Sequence, residues 1–174
     1  MHTRHASGDQ LGLALGGGDE RHSLFFALLP PPALRERAAA AAREALQGWP
    51  GQARAVDPSR YHLTLHFLGE TSELPPRTVA LAQAAAAAVH AAPFELSLDR
   101  AASFRAPQPP CVLLAAQPPG GLSGLWQSLG LGLARAGLLP RRPSRFVPHL
   151  TFAYSRGESL PERELAPLAW TVQD

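Results

Sequence analysis

Lysine is absent from this chain. All sixteen basic residues are arginine; fourteen are acidic, and the formal net charge is +2. A charge that small does not force a nucleic-acid partner. Beside so much alanine and proline, the bias toward arginine reads first as coding composition. Its chemical reading is anion recognition, since a guanidinium forks onto phosphate oxygens. Cysteine is nearly absent. Cys111 stands alone in the apolar run "CVLLAA", which excludes an internal disulfide and suggests a buried thiol in a reducing, cytoplasmic location. No apolar run approaches the length that spans a bilayer, and no charged segment leads into a short apolar one. Neither a membrane span nor a secretory signal is expected.

What is present suffices for one domain, or for two small lobes sharing an interface, in 174 residues. Residues 1–21 carry a Gly-Gly-Gly run and no sustained period, and are read as a mobile extension in which His2 and His5 are spectators. From there the pattern predicts a strand over 23–30, a proline-opened helix over 31–50 and a short strand over 53–56. A strand over 61–69 follows, then an alanine-rich helix over 75–92. Strands are expected over 93–100 and 111–116, a helix over 120–138, and strands over 149–154 and 168–172. The glycines of 120–138 weaken that helix. This order suggests an α+β architecture: one bilobal domain over 22–174, in which two similar lobes each set helices on one face of an antiparallel sheet.

One tripeptide is written twice. "YHLTLHFLG" (61–69) and "VPHLTFAY" (147–154) both contain His-Leu-Thr inside an apolar run. Strand residues two apart share a face. Strict alternation therefore sets Tyr61, Leu63, Leu65 and Phe67 against His62, Thr64 and His66. It likewise sets Leu150, Phe152 and Tyr154 against His149, Thr151 and Ala153. Each strand buries one face and presents an imidazole beside a hydroxyl on the other. A single histidine on a strand is most often a surface or core residue; two near-identical copies point to chemistry. His66 is expected to reach a ligand at most peripherally.

A metal centre is the first alternative. His62 and His66 are about 13 Å apart along a strand, too far to share an ion, and no cysteine or carboxylate stands at ligand spacing beside His62 or His149. A Ser-His-Asp site is poorer still, because no nucleophile-elbow sequence is present. In-line displacement at phosphorus fits better. One imidazole takes the proton of water and a second protonates the leaving oxygen, while two hydroxyls hold the nonbridging oxygens. No metal and no cofactor are expected. Arg141, Arg142 and Arg145 precede the second motif and Arg156 follows it.

These motifs resemble those of the 2H phosphoesterase superfamily, and most closely its RNA 2′,3′-cyclic phosphodiesterase branch, also called 2′-5′ RNA ligase. "LFFALLPPPALRERA", "ARAVDPSRYHLTLHFLG", "FELSLDRAASFRAPQPPCVLLA" and "FVPHLT" follow the family pattern in order over about 23–172. The resemblance implies a groove between two lobes and metal-independent hydrolysis of an RNA 2′,3′-cyclic phosphate to a 2′-phosphate. His62 matches the proton donor, His149 the proton acceptor, and Thr64 and Thr151 the phosphate-holding hydroxyls. Two departures stand out. The family often has arginine where this chain has Tyr154, so Arg145 or Arg156 is expected to bind phosphate instead. The family also continues past "WTV" with further strand sequence, and lacking it would leave a sheet edge exposed. The partner implied is RNA with a cyclic phosphate end or a related cyclic nucleotide, with no membrane and no obligate protein partner. The alternatives are 2′-5′ ligation, a small-nucleotide cyclic phosphodiesterase, and a catalytically idle module that binds RNA ends.

Overall fold

The computed structural model describes residues 21–73, 75–139 and 145–173. The extension expected over 1–21 falls almost wholly outside them, as do Arg141 and Arg142. The strands are β1 (His22–Leu28), β2 (Ala53–Ala55), β3 (Leu63–Thr71), β4 (Phe94–Ser103), β5 (Pro110–Leu114), β6 (His149–Ser155) and β7 (Arg163–Val172). The helices are α1 (Pro32–Ala45), α2 (Pro76–Ala87) and α3 (Gly120–Arg135), and a single 3-10 turn occupies Pro58–Arg60. All three helices begin at or just after a proline, whose fixed φ suits a first turn. At the end of α3, Gly137 takes φ 75°. There the Leu138 N–H donates to Leu133 O and the Gly137 N–H to Ala134 O, which closes the helix with a Schellman turn. Among the described residues no helix is long and apolar enough to cross a membrane.

The strands form one antiparallel sheet in the order β1-β3-β6-β5-β4-β7, with β2 added on β6. The α+β class is as expected, and the antiparallel sheets of the two halves are continuous with each other. Two half-sheets are joined because β3 and β6 share one register pair, Leu63 with Leu150. Two apolar clusters follow the halves. One gathers Leu34, Ala38 and Ala42 of α1 with Leu98, Leu113, Phe152 and Leu168. The other gathers Ala82 of α2 and Leu122, Leu129 and Leu133 of α3 with Leu63, Leu65 and Leu96. Leu96 and Leu98 are two apart on one strand, so both clusters lie on the same face of the sheet. Its other face is left for chemistry.

Two elements run three or more residues past their expected limits. β4 continues to Ser103, and β7 begins at Arg163 although Pro167 lies within it. The β4–β7 register jumps between Leu98–Leu168 and Arg100–Glu164, so the proline falls in a bulge and no ladder bond is asked of it. The Cys111 thiol is fully buried, as its run suggested, and desolvation pushes its pKa up.

Candidate active site

Leu63 and Leu150 each follow a motif histidine. Around their pair, antiparallel geometry sets His62 opposite Thr151 and Thr64 opposite His149. The two histidines are then diagonal neighbours, a relation that spans about 7–8 Å between ideal strands. The arrangement has a local pseudo-twofold axis through the leucine pair. The leucines point into the core, 0% and 1% exposed, so the four polar residues share the opposite face. All four are half-buried.

Backbone carbonyls orient both imidazoles in the same way. His62 Nδ1 lies 2.7 Å from Arg60 O, and His149 Nδ1 lies 2.8 Å from Val147 O. A carbonyl only accepts, so Nδ1 carries the proton and donates it. The lone pair of each neutral ring is therefore on Nε2, facing away from its own strand start. An aromatic ring packs on each: Phe25 stacks on His62 at 4.9 Å, and Phe104 meets His149 edge-on at 4.9 Å. Arg60 O is itself fixed by the 3-10 turn. Asp57 caps that turn by accepting from Ser59 N–H at 2.8 Å, a bond that lowers the Asp57 pKa. Arg35 of α1 donates to Ser59 O at 3.2 Å. Among the described residues no buried side-chain polar atom lacks a partner, and the Thr64 and Thr151 hydroxyls are held by no other side chain.

Strict alternation fails immediately after each threonine. β1 pairs Ala27 with Thr64 and Phe26 with His66, so Leu65 is an extra residue. β5 pairs Val112 with Thr151 and Cys111 with Ala153, so Phe152 is an extra residue. Each bulge is the third residue after its histidine, and each turns the next two positions over. Ala153 is consequently buried, while Phe67 and Tyr154 emerge 52% and 37% exposed beside the polar residues.

His66 is the main correction. It lies on the core side, 7% exposed, and not beside His62. Its ring stacks on Trp126 at 5.3 Å and its Nε2–H donates to Trp126 O at 2.8 Å, while Trp126 Nε1–H returns a bond to Leu65 O at 3.0 Å. Any Cβ at Gly130 would stand 2.8 Å from His66 Cε1. One of the glycines that weaken the expected helix, Gly130, is thus the condition for packing His66 beneath it. His66→Ala is expected to lower stability by about 2–5 kcal/mol, the range for large-to-small core changes, with turnover retained within a few-fold below the melting transition. Thermal melts and rates on that one variant check both statements.

Arg145 and Arg156 are both exposed and stand outside the cluster of four, Arg145 in the segment leading into His149 and Arg156 just past β6. Arg100 is level with His149 through Leu114, but Glu162 and Glu164 hold it in ion pairs. The basic residue that the sequence reading missed is Arg54. It pairs in register with Tyr154, and its guanidinium carbon lies 5.8 Å from the centre of the Tyr154 ring. A three-residue strand carries too little pattern to reveal its partner.

A sheet with helices on one face and paired histidines and threonines on the other is suited to acid–base chemistry at phosphorus. Solved structures share the fold. A structure described as a phosphoesterase is 28% identical with a TM-score of 0.69, over 86% of this chain and 82% of that one. Escherichia coli LigT is 28% identical with a TM-score of 0.68, over 88% and 84%. TT0787 of Thermus thermophilus is 27% identical with a TM-score of 0.62, over 87% and 84%. LigT has also been solved with phosphate, 3′-AMP, ATP and NADP+. A search among curated proteins gave no match. The family model of the 2′-5′ RNA ligase superfamily matches residues 30–173, and the chain belongs to that superfamily, the 2H phosphoesterases. It is accordingly an enzyme of phosphodiester chemistry.

Proposed function

We propose that this enzyme hydrolyses RNA 2′,3′-cyclic phosphate ends to 2′-phosphomonoesters without a metal. The observation that carries the reading is the pseudo-twofold set of His62, Thr64, His149 and Thr151 about one leucine pair. The phosphate-bearing ligands of LigT support a nucleotide substrate.

The reacting phosphate is held between the two threonine hydroxyls, which donate to its nonbridging oxygens. Water adds to phosphorus opposite the 3′-oxygen. His149 Nε2 takes the proton of that water, and His62 Nε2–H gives its proton to the 3′-oxygen as the P–O3′ bond breaks. The product is a 2′-phosphate beside a free 3′-hydroxyl. His149 is left protonated and His62 neutral, and exchange with solvent restores both. In each imidazolium the Nδ1–H bond to a backbone carbonyl spreads the positive charge without moving the ring. The acid and base assignments follow the family resemblance. Arg145, exposed four residues before His149, is a further candidate for a phosphate contact.

The test is turnover of an oligoribonucleotide ended by a 2′,3′-cyclic phosphate, with the product position read by mass and by phosphatase sensitivity. Full activity in EDTA and a 2′-phosphate product are expected. Loss of turnover in EDTA with recovery on adding zinc or manganese would overturn the metal-free mechanism. A 3′-phosphate product would overturn the assignment of the leaving oxygen, and joining of ends under the same conditions would favour ligation.

A further inference from the structure

Beyond Thr151 the polar face does not end. The bulge at Phe152 brings Tyr154 onto it, and the β2 register places Arg54 directly beside Tyr154. Arg54, Tyr154, Arg156, Pro107 and Gln108 line an open cleft of about 480 Å³. Among the described residues no carboxylate lies in ion-pair distance of Arg54 or Arg156, in contrast to Arg100. An exposed arginine without an acid partner, steadied against a tyrosine ring, suits an external anion. Arg156 is anchored next to it, since its backbone N–H donates to Gln52 O at 2.9 Å. Tyr154 follows Thr151 by three positions, at most about 10 Å along the strand. That is far enough to clear the reacting phosphate and near enough for the same ligand to reach both.

We propose that Arg54, Tyr154 and Arg156 form a subsite for the phosphodiester and nucleotide on the 5′ side of the reacting end, so that the enzyme's substrate is an RNA chain and not a cyclic mononucleotide. This rests on the function proposed above. Arg54 and Arg156 take the phosphodiester oxygens, and the Tyr154 ring flanks the base. Recognition of this kind is indifferent to sequence, because the contacts are to phosphate and to a π-face.

The experiment measures binding, independently of turnover. The probes are a short RNA ended by a 2′-phosphate and a nucleoside 2′-phosphate, titrated onto wild type, Arg54→Gln and Tyr154→Ala. Wild type is expected to bind the RNA at least about tenfold more tightly, the order of one contact to a charged group. Each substitution is expected to weaken the RNA about tenfold more than the mononucleotide. Arg54→Gln should also flatten the salt dependence by about 0.7 in log–log slope, as for one phosphate contact on a single strand. Both positions are exposed, so both variants should melt as wild type does. Equal affinity for the two ligands in wild type, or an equal loss for both in the variants, would overturn the subsite. Selective RNA binding with no turnover of cyclic ends would bring down the proposed reaction and leave the subsite standing.

Discussion

His62→Ala and His149→Ala are each expected to lower turnover by at least about a hundredfold, the low end of what a positioned acid or base contributes. The double variant should lose far less than the product of the two singles, because the imidazoles act on opposite ends of one displacement and work as a unit. Both rings are half-buried and on the face away from the helices, so melts of the three variants should stay close to wild type. Steady-state rates with a cyclic-phosphate-ended RNA decide the matter. A single variant that keeps near wild-type turnover removes that histidine from the mechanism.

Thr64→Val and Thr151→Val form the second expectation. Valine keeps the branch at Cβ and the fit to a strand, so only the hydroxyl is removed. Loss of one donor to developing charge costs a factor of about 10²–10³ in turnover. Rates should therefore collapse while the melting temperature hardly moves. If the threonines serve only the sheet, the pattern inverts: small shifts in melting and unaltered rates. Measuring both quantities on the same preparations separates the cases.

The four residues at the centre of this site were legible because two copies of one tripeptide share a period of two. What lay one residue further on was not. Period-two reasoning carries as far as Thr64 and Thr151, and a bulge after each then shifts it by one. His66 was consequently assigned to the wrong face, and Phe67 and Tyr154 to the buried one. A bulge is created by the partner strand's register, which no window of the sequence contains. The same limit hid Arg54, whose importance lies wholly in its distant neighbour Tyr154. Pro167 marks the opposite case: the strand expected over 168–172 starts only after it, whereas β7 begins at Arg163, because the bulge that tolerates the proline is also a property of pairing. The glycines of α3 weaken a helix in the sequence; the meaning of one of them, Gly130, depends on the His66 ring, which reaches it from another element.

The axis through Leu63 and Leu150 bears on the direction of the reaction. Exchanging the two halves of the site carries His62 onto His149 and Thr64 onto Thr151. A catalyst with that symmetry serves both directions of a step through the same transition state: the group that deprotonates an entering oxygen in one sense protonates it as it leaves in the other. Microscopic reversibility holds for any catalyst; what the symmetry adds is that both sides of the phosphate meet an equivalent imidazole and hydroxyl. Under the proposed reaction, the outcome would be set by what occupies the entering position, water or the hydroxyl of a second RNA end, and by how tightly the flanking surface retains each. On this view hydrolysis and joining differ in the occupancy of one place beside the phosphate, and not in the set of catalytic groups.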